Sequence, residues 1–530
     1  MMPESDQPQC ESATIEPTVE PIPPRYWWLK RIALAAGFLF VALFALRLWW
    51  GWEANRRLQA EIDKIIAKGE PIYPEDFDPK EDIPDDQNAA RFLRNAEQAI
   101  NLTPEQVKLI DELRNDGKFT AERQEQARVI VESNSVAFEL IRRARHAPRA
   151  DWGVHVRSPV FRFFPATSGQ RQLSRLLSLS IRHHHVVGDD KTAVEQMRDA
   201  LALARAVGRM PGYIPVFVGM GADSVVFESI EAVSSTLNIQ TDSGSVQPTG
   251  HPCTRADVEA LLQELLHEHA RREAMMRAEF FERMSNLDIV QVAKSGTAGM
   301  MSAWGAAPRA SSTPGNVVLA YLITPLVEMD GVTMIRDSTL RLQAAAESNW
   351  VGAKRVLPKE HKEAELLGNF VHFLSRIFTP PHERLFLLHF RSLASRHLAG
   401  TALAIRLYQV DHGHRPSTLV ELVPEYLPEV PLDPFAGDGS AIRYLPRVRP
   451  ALLYSVGPNG VDDGGKFAFR SGGIDWDQLD MPFFVDGNRP TKPEDVPSAP
   501  ESSIQAGEDQ IKTDGDEGEA DEDGEGDEEP

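Results

Sequence analysis

One long apolar run interrupts an otherwise mixed pattern of hydrophobic and polar positions: residues 32–50 are IALAAGFLFVALFALRLWW. About twenty consecutive apolar residues are enough to cross the hydrocarbon core of a bilayer. Trp and Tyr, which favour membrane interfaces, flank the run on both sides. The run is longer than the apolar part of a cleaved signal peptide, and no small-residue cleavage site follows it. We therefore predict a transmembrane anchor over residues 25–52; the alternative is a buried core helix.

After the anchor, a predicted stalk and extended linker occupy residues 53–86, and apolar positions then recur at the 3.6-residue spacing that indicates helices. Residues 190–207 place their apolar side chains on one stripe, as a helix of a bundle does. Thr254 and Asp257 have the spacing of a reciprocal helix cap, so another helix is expected to begin there. The pattern predicts a bundle-like helical body over residues 87–380. Within it we expect a Gly/Ala/Ser loop at residues 287–316. The run VVLAYLITPLV that follows has too few apolar residues for a second span and is predicted to be core.

A different pattern begins after this body and predicts a small α+β module over residues 381–487. An amphipathic helix over residues 381–410 is followed by Gly413, which is placed to end it in a left-handed conformation, and by a short helix at residues 418–421. Two short strands are then expected at residues 442–445 and 452–456, ahead of the loop SVGPNGVDDGG. The predicted fold class is therefore mainly α, with an N-terminal transmembrane helix, a large helical bundle-like body, a small C-terminal α+β module and disordered termini.

Composition changes the picture at the two ends of the chain. Residues 1–24 are rich in Pro and Glu, and residues 488–530 are rich in Asp, Glu and Gly, so both ends are predicted to be disordered. The net charge of −22 arises largely from the last thirty residues, which carry fourteen acidic side chains and one lysine. The rest of the chain has no basic stripe, and we expect no nucleic-acid partner. Cys10 and Cys253 lie on opposite sides of the anchor, which argues against disulfides.

Motifs for chemistry are sparse, and none identifies a reaction. His183, His184 and His185 are consecutive, so on a helix they point in different directions and do not converge on one metal ion. An enzyme site assembled from dispersed residues is still open, since catalytic groups converge in space rather than in sequence. The titratable candidates for such a site are His267, His361, His382 and Glu383.

The order of elements in residues 395–470 resembles the carboxyl-terminal domain of the major pseudopilin of the type II secretion system. In that family a long helix leads into a D-P-aromatic segment, a small sheet and a calcium-holding S-x-G-x-D-G loop. The matching positions are Tyr408, Gly413, Pro416, Leu422, Asp433, Pro434, Tyr444, Tyr454, Ser455, Gly457, Gly460, Gly464 and Gly465. The resemblance implies a calcium site formed by Asn459 and by Asp462 or Asp463 with backbone carbonyl oxygens. Asn459 stands where the family has an aspartate, so the implied affinity is weak.

The chain as a whole does not resemble a pseudopilin. The processed G-F-T-L-x-E terminus of that family is replaced by the sequence GFLF inside the span, and about 330 residues separate the span from the module. The layout instead looks like that of bacterial single-span membrane-anchored proteins that carry this module. That resemblance implies the bacterial inner membrane, with the body on the periplasmic side. The Lys and Arg residues that flank the span do not favour this orientation.

Two functions remain open from the sequence. The leading hypothesis is a non-catalytic envelope protein, anchored in the membrane through residues 25–52, whose helical body binds an unknown protein partner. In this hypothesis the C-terminal module is an interaction domain stabilised by calcium at Asn459, Asp462 and Asp463. The alternative is a membrane-anchored envelope enzyme of the hydrolase class, with its site in the helical body. No feature of the sequence identifies a substrate.

Overall fold

The structure is a computed structural model, and it describes residues 26–79, 81–116, 118–158, 160, 166–240, 250–295, 314–359, 372–378, 382–470, 473–487, 489–490 and 492. The helices are α1 (Trp27–Ala67), α2 (Ala89–Gln98), α3 (Pro104–Asp116), α4 (Ala121–Ser133), α5 (Ser135–His146), α6 (Ser168–Val186), α7 (Asp190–Val207), α8 (Tyr213–Val233), α9 (Arg255–Leu266), α10 (His269–Lys294), α11 (Pro314–Ala346), α12 (Trp350–Val356), α13 (Phe373–Phe378) and α14 (His382–His412). The strands are β1 (Arg443–Leu445), β2 (Leu452–Ser455), β3 (Ala468–Arg470), β4 (Gly473–Asp475) and β5 (Met481–Phe484). Short 3-10 turns lie at Pro74–Phe77, Asp85–Gln87 and Leu419–Leu422. The predicted disordered head and most of the predicted acidic tail lie outside the described residues.

Helix α1 joins the predicted anchor and stalk in one element of 41 residues, which is about 60 Å long at the rise of an α-helix. Its first half is exposed on all sides, as at Phe38, whose side chain is 79% exposed. One face of its second half is buried, and the buried residues on that face are Ala54, Leu58, Ile62 and Ile65. The helix is long and apolar enough to span a membrane, and none of its most apolar window is buried. The alternative of a buried core helix is wrong for the apolar run.

The helices that follow pack around a shared core, as the 3.6-residue pattern predicts. Helix α7 lies along α6 and α8 and buries its apolar stripe, including Met197 and Leu201. The sequence also predicts where helices begin: Thr254 and Asp257 form the reciprocal cap of α9. Helix α14 packs against α8 and α9, and Leu453 and Phe483 of the sheet belong to the same core. The predicted body and the predicted module therefore share one hydrophobic core.

Helix α10 overturns the start of the predicted Gly/Ala/Ser loop. It continues to Lys294, and Leu287, Ile289, Val290 and Ala293 are buried in a cluster with residues of α1 and α11. These apolar contacts extend the helix into a region where composition favoured a loop. The middle of the predicted loop, residues 296–313, lies outside the described residues.

Helix α11 contains the run VVLAYLITPLV, but its first turns are not core as predicted. Val317 and Val318 are each 58% exposed, and burial begins only at Pro325, which lies inside the helix. The prediction is wrong for these turns, which lie beside α1 and are otherwise exposed in the described part of the chain. From Val317 onward α11 is also long and apolar enough to span a membrane, although 44% of its most apolar window is buried.

The C-terminal part contains both predicted strands. β1 and β2 pair antiparallel with Tyr444 opposite Leu453, and β5 pairs antiparallel with the other edge of β2, with Leu453 opposite Phe483. β3 and β4 form a separate two-stranded sheet. After α14, Gly413 adopts a left-handed conformation with φ of +74°, as predicted for the residue that ends this helix.

Candidate functional site

A positively charged side chain of the protein, Arg443 of β1, already pairs with the predicted calcium loop. Asp462 Oδ2 accepts a hydrogen bond from Arg443 Nε at 2.7 Å, and its Oδ1 accepts from the Tyr454 hydroxyl at 3.1 Å and from the Gly464 N–H at 3.0 Å. Partial burial acts to raise the pKa of Asp462, but these donors hold it below its ordinary value. A calcium ion would have to compete with Arg443 for this carboxylate.

The other two predicted ligands face each other, since Asn459 Nδ2 donates to Asp463 Oδ2 at 2.9 Å. Sequence reasoning missed Asp480, which is fully buried beside the loop and accepts from the N–H groups of Asp463 at 3.3 Å and Gly465 at 2.7 Å. Burial, with the nearby charges of the two loop aspartates, raises the pKa of Asp480 to about 6. Among the described residues, no group of three or more Asp, Glu, His or Cys side chains could hold a metal ion. Calcium binding therefore stays a prediction.

Asp433, the aspartate of the D-P-aromatic segment, joins that segment to β2. Its buried carboxylate accepts hydrogen bonds from the Phe435 N–H at 2.9 Å, the Val456 N–H at 2.8 Å and the Ser455 hydroxyl at 2.6 Å. Arg443 Nη1 adds a longer contact at 3.3 Å. Both oxygens are occupied by donors of the chain, so the role of Asp433 is structural.

The dispersed enzyme candidates do not come together in the described structure. Glu383 lies in a surface ion pair, and burial lowers the pKa of the neighbouring His382 imidazole to about 2. His267 directly follows α9, which meets α14 near Gly400. Gly400 is 18 residues beyond His382 on α14, or about 27 Å along the helix, so His267 and His382 lie far apart. His361 lies outside the described residues.

A cleft of about 490 Å³ opens between α8, α14 and β5, and we name it the Arg391 cleft. Its walls are mainly apolar and include Phe217, Phe227, Leu388, Leu398, Trp476 and Phe483. Six of its sixteen lining residues are polar or charged: Ser224, Glu228, Arg391, Ser392, Ser395 and Arg489. This size and this mixture of apolar walls with a few polar groups are typical of small-molecule sites. Sequence reasoning missed the cleft because three segments far apart in the chain form it.

Two arginines of the cleft flank Trp476: Cζ of Arg391 lies 4.7 Å and Cζ of Arg489 lies 5.1 Å from its ring centroid. Arg489 pairs with the buried carboxylate of Glu231. The Arg391 guanidinium has no hydrogen bond or ion pair to any residue that the structure describes. Burial lowers the pKa of Arg391 to about 10, so the group is still positive at neutral pH. The Ser392 hydroxyl, also on the cleft, is buried and likewise has no partner in the described ranges.

Comparisons with protein-family models, with curated proteins and with solved structures found no match for this chain. The relation of residues 395–470 to pseudopilin domains stays a prediction. The function is therefore argued from the geometry of the chain.

Proposed function

We propose that the protein is a non-catalytic, membrane-anchored protein that holds a rigid helical body at the bilayer surface, where the body binds a protein partner. The observation that carries the proposal is the continuity of α1. The helix passes without a break from its exposed apolar half into the core, where Leu58 and Ile62 are buried. A flexible tether would let the body rotate freely, whereas this helix fixes the height and tilt of the body relative to the anchor.

The first turns of α11 support the same arrangement. Helices α1 and α11 run parallel, since Arg47 contacts Tyr321 and, further along both helices, Glu61 pairs with Arg336 at 2.8 Å. The exposed apolar residues before Tyr321, such as Val318, therefore lie beside the apolar half of α1. If α1 spans the bilayer, these side chains contact lipid rather than water.

The proposed location is the bacterial inner membrane, with the body on the periplasmic side. Long domains cross the membrane largely regardless of flanking charge, so the Lys and Arg residues near the span do not rule out this orientation. The C-terminal α+β part is the proposed interaction module. Its proposed stabilisation by calcium at Asn459, Asp462 and Asp463 rests on the resemblance of that loop to the calcium-holding loop of pseudopilins, and calcium would have to displace Arg443 from Asp462.

Cysteine labelling tests the orientation, and the structure determines which cysteines can report. Cys253 is buried, and burial raises the pKa of its thiol to about 12, so it can stay in place as a silent residue. Lys108, whose side chain is 80% exposed, is a suitable position on the body. Lys108→Cys is expected to react with an impermeant maleimide once the outer membrane is opened, while Cys10 of the head is shielded. The reverse pattern would contradict the proposed orientation.

Spin labels test the lipid contact of α11 in the full chain, with Cys10 replaced by serine. In reconstituted vesicles, a nitroxide on Val318→Cys is expected to collide more with oxygen, which concentrates in lipid, than with a water-soluble nickel chelate. Val420→Cys is the matched control, because Val420 is 73% exposed on the C-terminal α+β part and should prefer the chelate. A label at position 318 that prefers the chelate would refute the lipid contact.

A further inference from the structure

We infer that the Arg391 cleft binds an apolar molecule that carries one carboxylate group, such as a fatty acid or an aryl carboxylic acid. The inference goes beyond the proposed membrane role, because it concerns a small-molecule site between α8, α14 and β5. It would stand even if the body lay on the opposite side of the membrane.

The walls of the cleft define the body of the ligand. Phe217 and Phe227 of α8 face Leu388 and Leu398 of α14, and Trp476 completes the apolar surface. Burying apolar surface drives association whether the ligand offers a chain or a ring. The cleft volume of about 490 Å³ lies within the usual range for small ligands.

The charges around the cleft define the head group. The carboxylates near the cleft arginines, of which Glu228 itself lines the cleft, each have an arginine partner: Glu228 pairs with Arg114, Glu231 with Arg489, and Asp477 with Arg384. Arg391 belongs to none of these pairs, and its positive charge has no ion-pair partner among the described residues. A guanidinium can donate two parallel hydrogen bonds to one carboxylate, so an anionic head group complements Arg391 better than a neutral or a cationic one.

A second polar group of the cleft also lacks a hydrogen-bond partner among the described residues. Ser392 follows Arg391 on α14, lines the cleft and has a buried hydroxyl without a partner in the described part of the chain. Buried hydroxyl groups are normally hydrogen-bonded. A ligand in the cleft that carries a hydrogen-bond acceptor would satisfy this hydroxyl, whichever group Arg391 binds, because Arg391 and Ser392 point in different directions on the helix.

The acidic tail of the same chain is a competing occupant, since its carboxylates could also pair with Arg391. Residues 493–530, however, contain no aromatic residue and few large apolar residues. Their acidic charge complements Arg391, but they offer little apolar surface to contact the walls of the cleft. An acid with a continuous apolar body matches both.

The test is equilibrium dialysis of the full chain in lipid nanodiscs, with empty nanodiscs as the blank. The probes are decanoate, biphenyl-4-carboxylate and the neutral biphenyl-4-carboxamide. We expect at least one acid to bind, and we expect the carboxamide to bind about tenfold more weakly than its acid, because it lacks the charge that pairs with Arg391. The preferred acid distinguishes an acyl chain from an aromatic ring as the natural ligand body.

Three variants separate the charge from the cavity. Arg391→Met should weaken binding of the acid about tenfold and leave the carboxamide unchanged. Gly221→Leu should abolish binding of both, because Gly221 lines the cleft and a Cβ there meets no atom within 4 Å, so the new side chain fills the space without a clash. Arg143→Met is the control for the loss of an arginine, because Arg143 is 59% exposed on α5 and pairs with Glu139 of the same helix, and this variant should bind as the unmodified chain does.

Several outcomes would overturn the inference. These are the absence of acid binding, equal binding of acid and carboxamide by the unmodified chain, and full acid binding by Arg391→Met. Binding that appears only after residues 493–530 are deleted would assign the cleft to the acidic tail and would overturn the inference as well. Thermal melting of each variant shows whether a loss of binding reflects a loss of fold.

Discussion

Arg47 of α1 donates a hydrogen bond to the backbone carbonyl of Tyr321 in α11, and its guanidinium Cζ lies 4.2 Å from the centroid of the Tyr321 ring. In an α-helix that carbonyl would accept from the residue four positions later. The residue there is Pro325, which has no backbone N–H. Arg47 therefore supplies the donor that the proline removes, and it links the two helices where their exposed apolar surfaces meet.

A double-mutant cycle measures this relationship. Arg47→Met leaves the Tyr321 carbonyl without a donor and should destabilise the chain by about 1–3 kcal/mol. In the Pro325→Ala background position 325 gains an N–H, so the same Arg47→Met change should cost less. The measurement is thermal unfolding of all four proteins in the same detergent. Equal costs in the two backgrounds would show that the proline and the arginine are not coupled.

The sequence predicts local features of this fold well. The long apolar helix, the reciprocal cap of Thr254 and Asp257, and the glycine that ends α14 all involve neighbours in the chain, and the structure confirms them. Strand β5 escaped prediction because Pro482 lies inside it, and proline argues against a strand. Its pairing with β2, and the Arg391 cleft beside it, depend on residues far apart in the chain, which periodicity does not reveal.

Asp433 is expected to be the most sensitive aspartate of the C-terminal part. Asp433→Ala removes the acceptor for two backbone N–H groups and the Ser455 hydroxyl, so it should cost about 3 kcal/mol or more in the free energy of unfolding. Asp438→Ala is the control from the same segment, because Asp438 is exposed and, among the described residues, its side chain bonds to Ser440 alone. Its cost should stay below about 1 kcal/mol. Chemical denaturation measures the loss in the free energy of unfolding for both variants. Equal losses would contradict the expectation.

Glu282 of α10 should make the stability of the chain depend on pH. Burial, with the neighbouring charge of Glu279, raises the pKa of Glu282 from 4.5 to about 7. Between these values the folded chain holds a proton that the unfolded chain has released, so stability falls as the pH rises from about 4.5 to about 7. Glu282→Gln should reduce this slope and should stabilise the chain at pH 8 by on the order of 1 kcal/mol.

Melting temperatures from pH 5 to pH 8 measure this effect. Glu139→Gln is the control, since the Glu139 side chain is 62% exposed on α5, and the slope of the unmodified chain should persist in it. An unchanged slope in Glu282→Gln would show that another group is responsible.

Calcium should stabilise the C-terminal part only weakly. Modules with few charged ligands bind calcium at about 0.1–1 mM, and here Arg443 already occupies Asp462. At ten times the dissociation constant, binding to the folded form alone would add about 1.4 kcal/mol. The Asn459→Asp change replaces a neutral oxygen ligand by a charged one, so it should increase the calcium-dependent rise in melting temperature. Asp462→Ala should decrease that rise.

The measurement is a melt of the full chain in calcium and in chelator, because α14 shares the core of the helical body and the C-terminal segment is not separable from it. Asp438→Asn is the control for a general effect of acidic charge, since Asp438 lies on the surface outside the loop. The calcium hypothesis would be contradicted if the unmodified chain and Asn459→Asp each melted at the same temperature in calcium and in chelator. The ion pair between Arg443 and Asp462 would then hold the loop in place of a calcium ion. The resemblance to pseudopilin domains would not include the calcium site of that family.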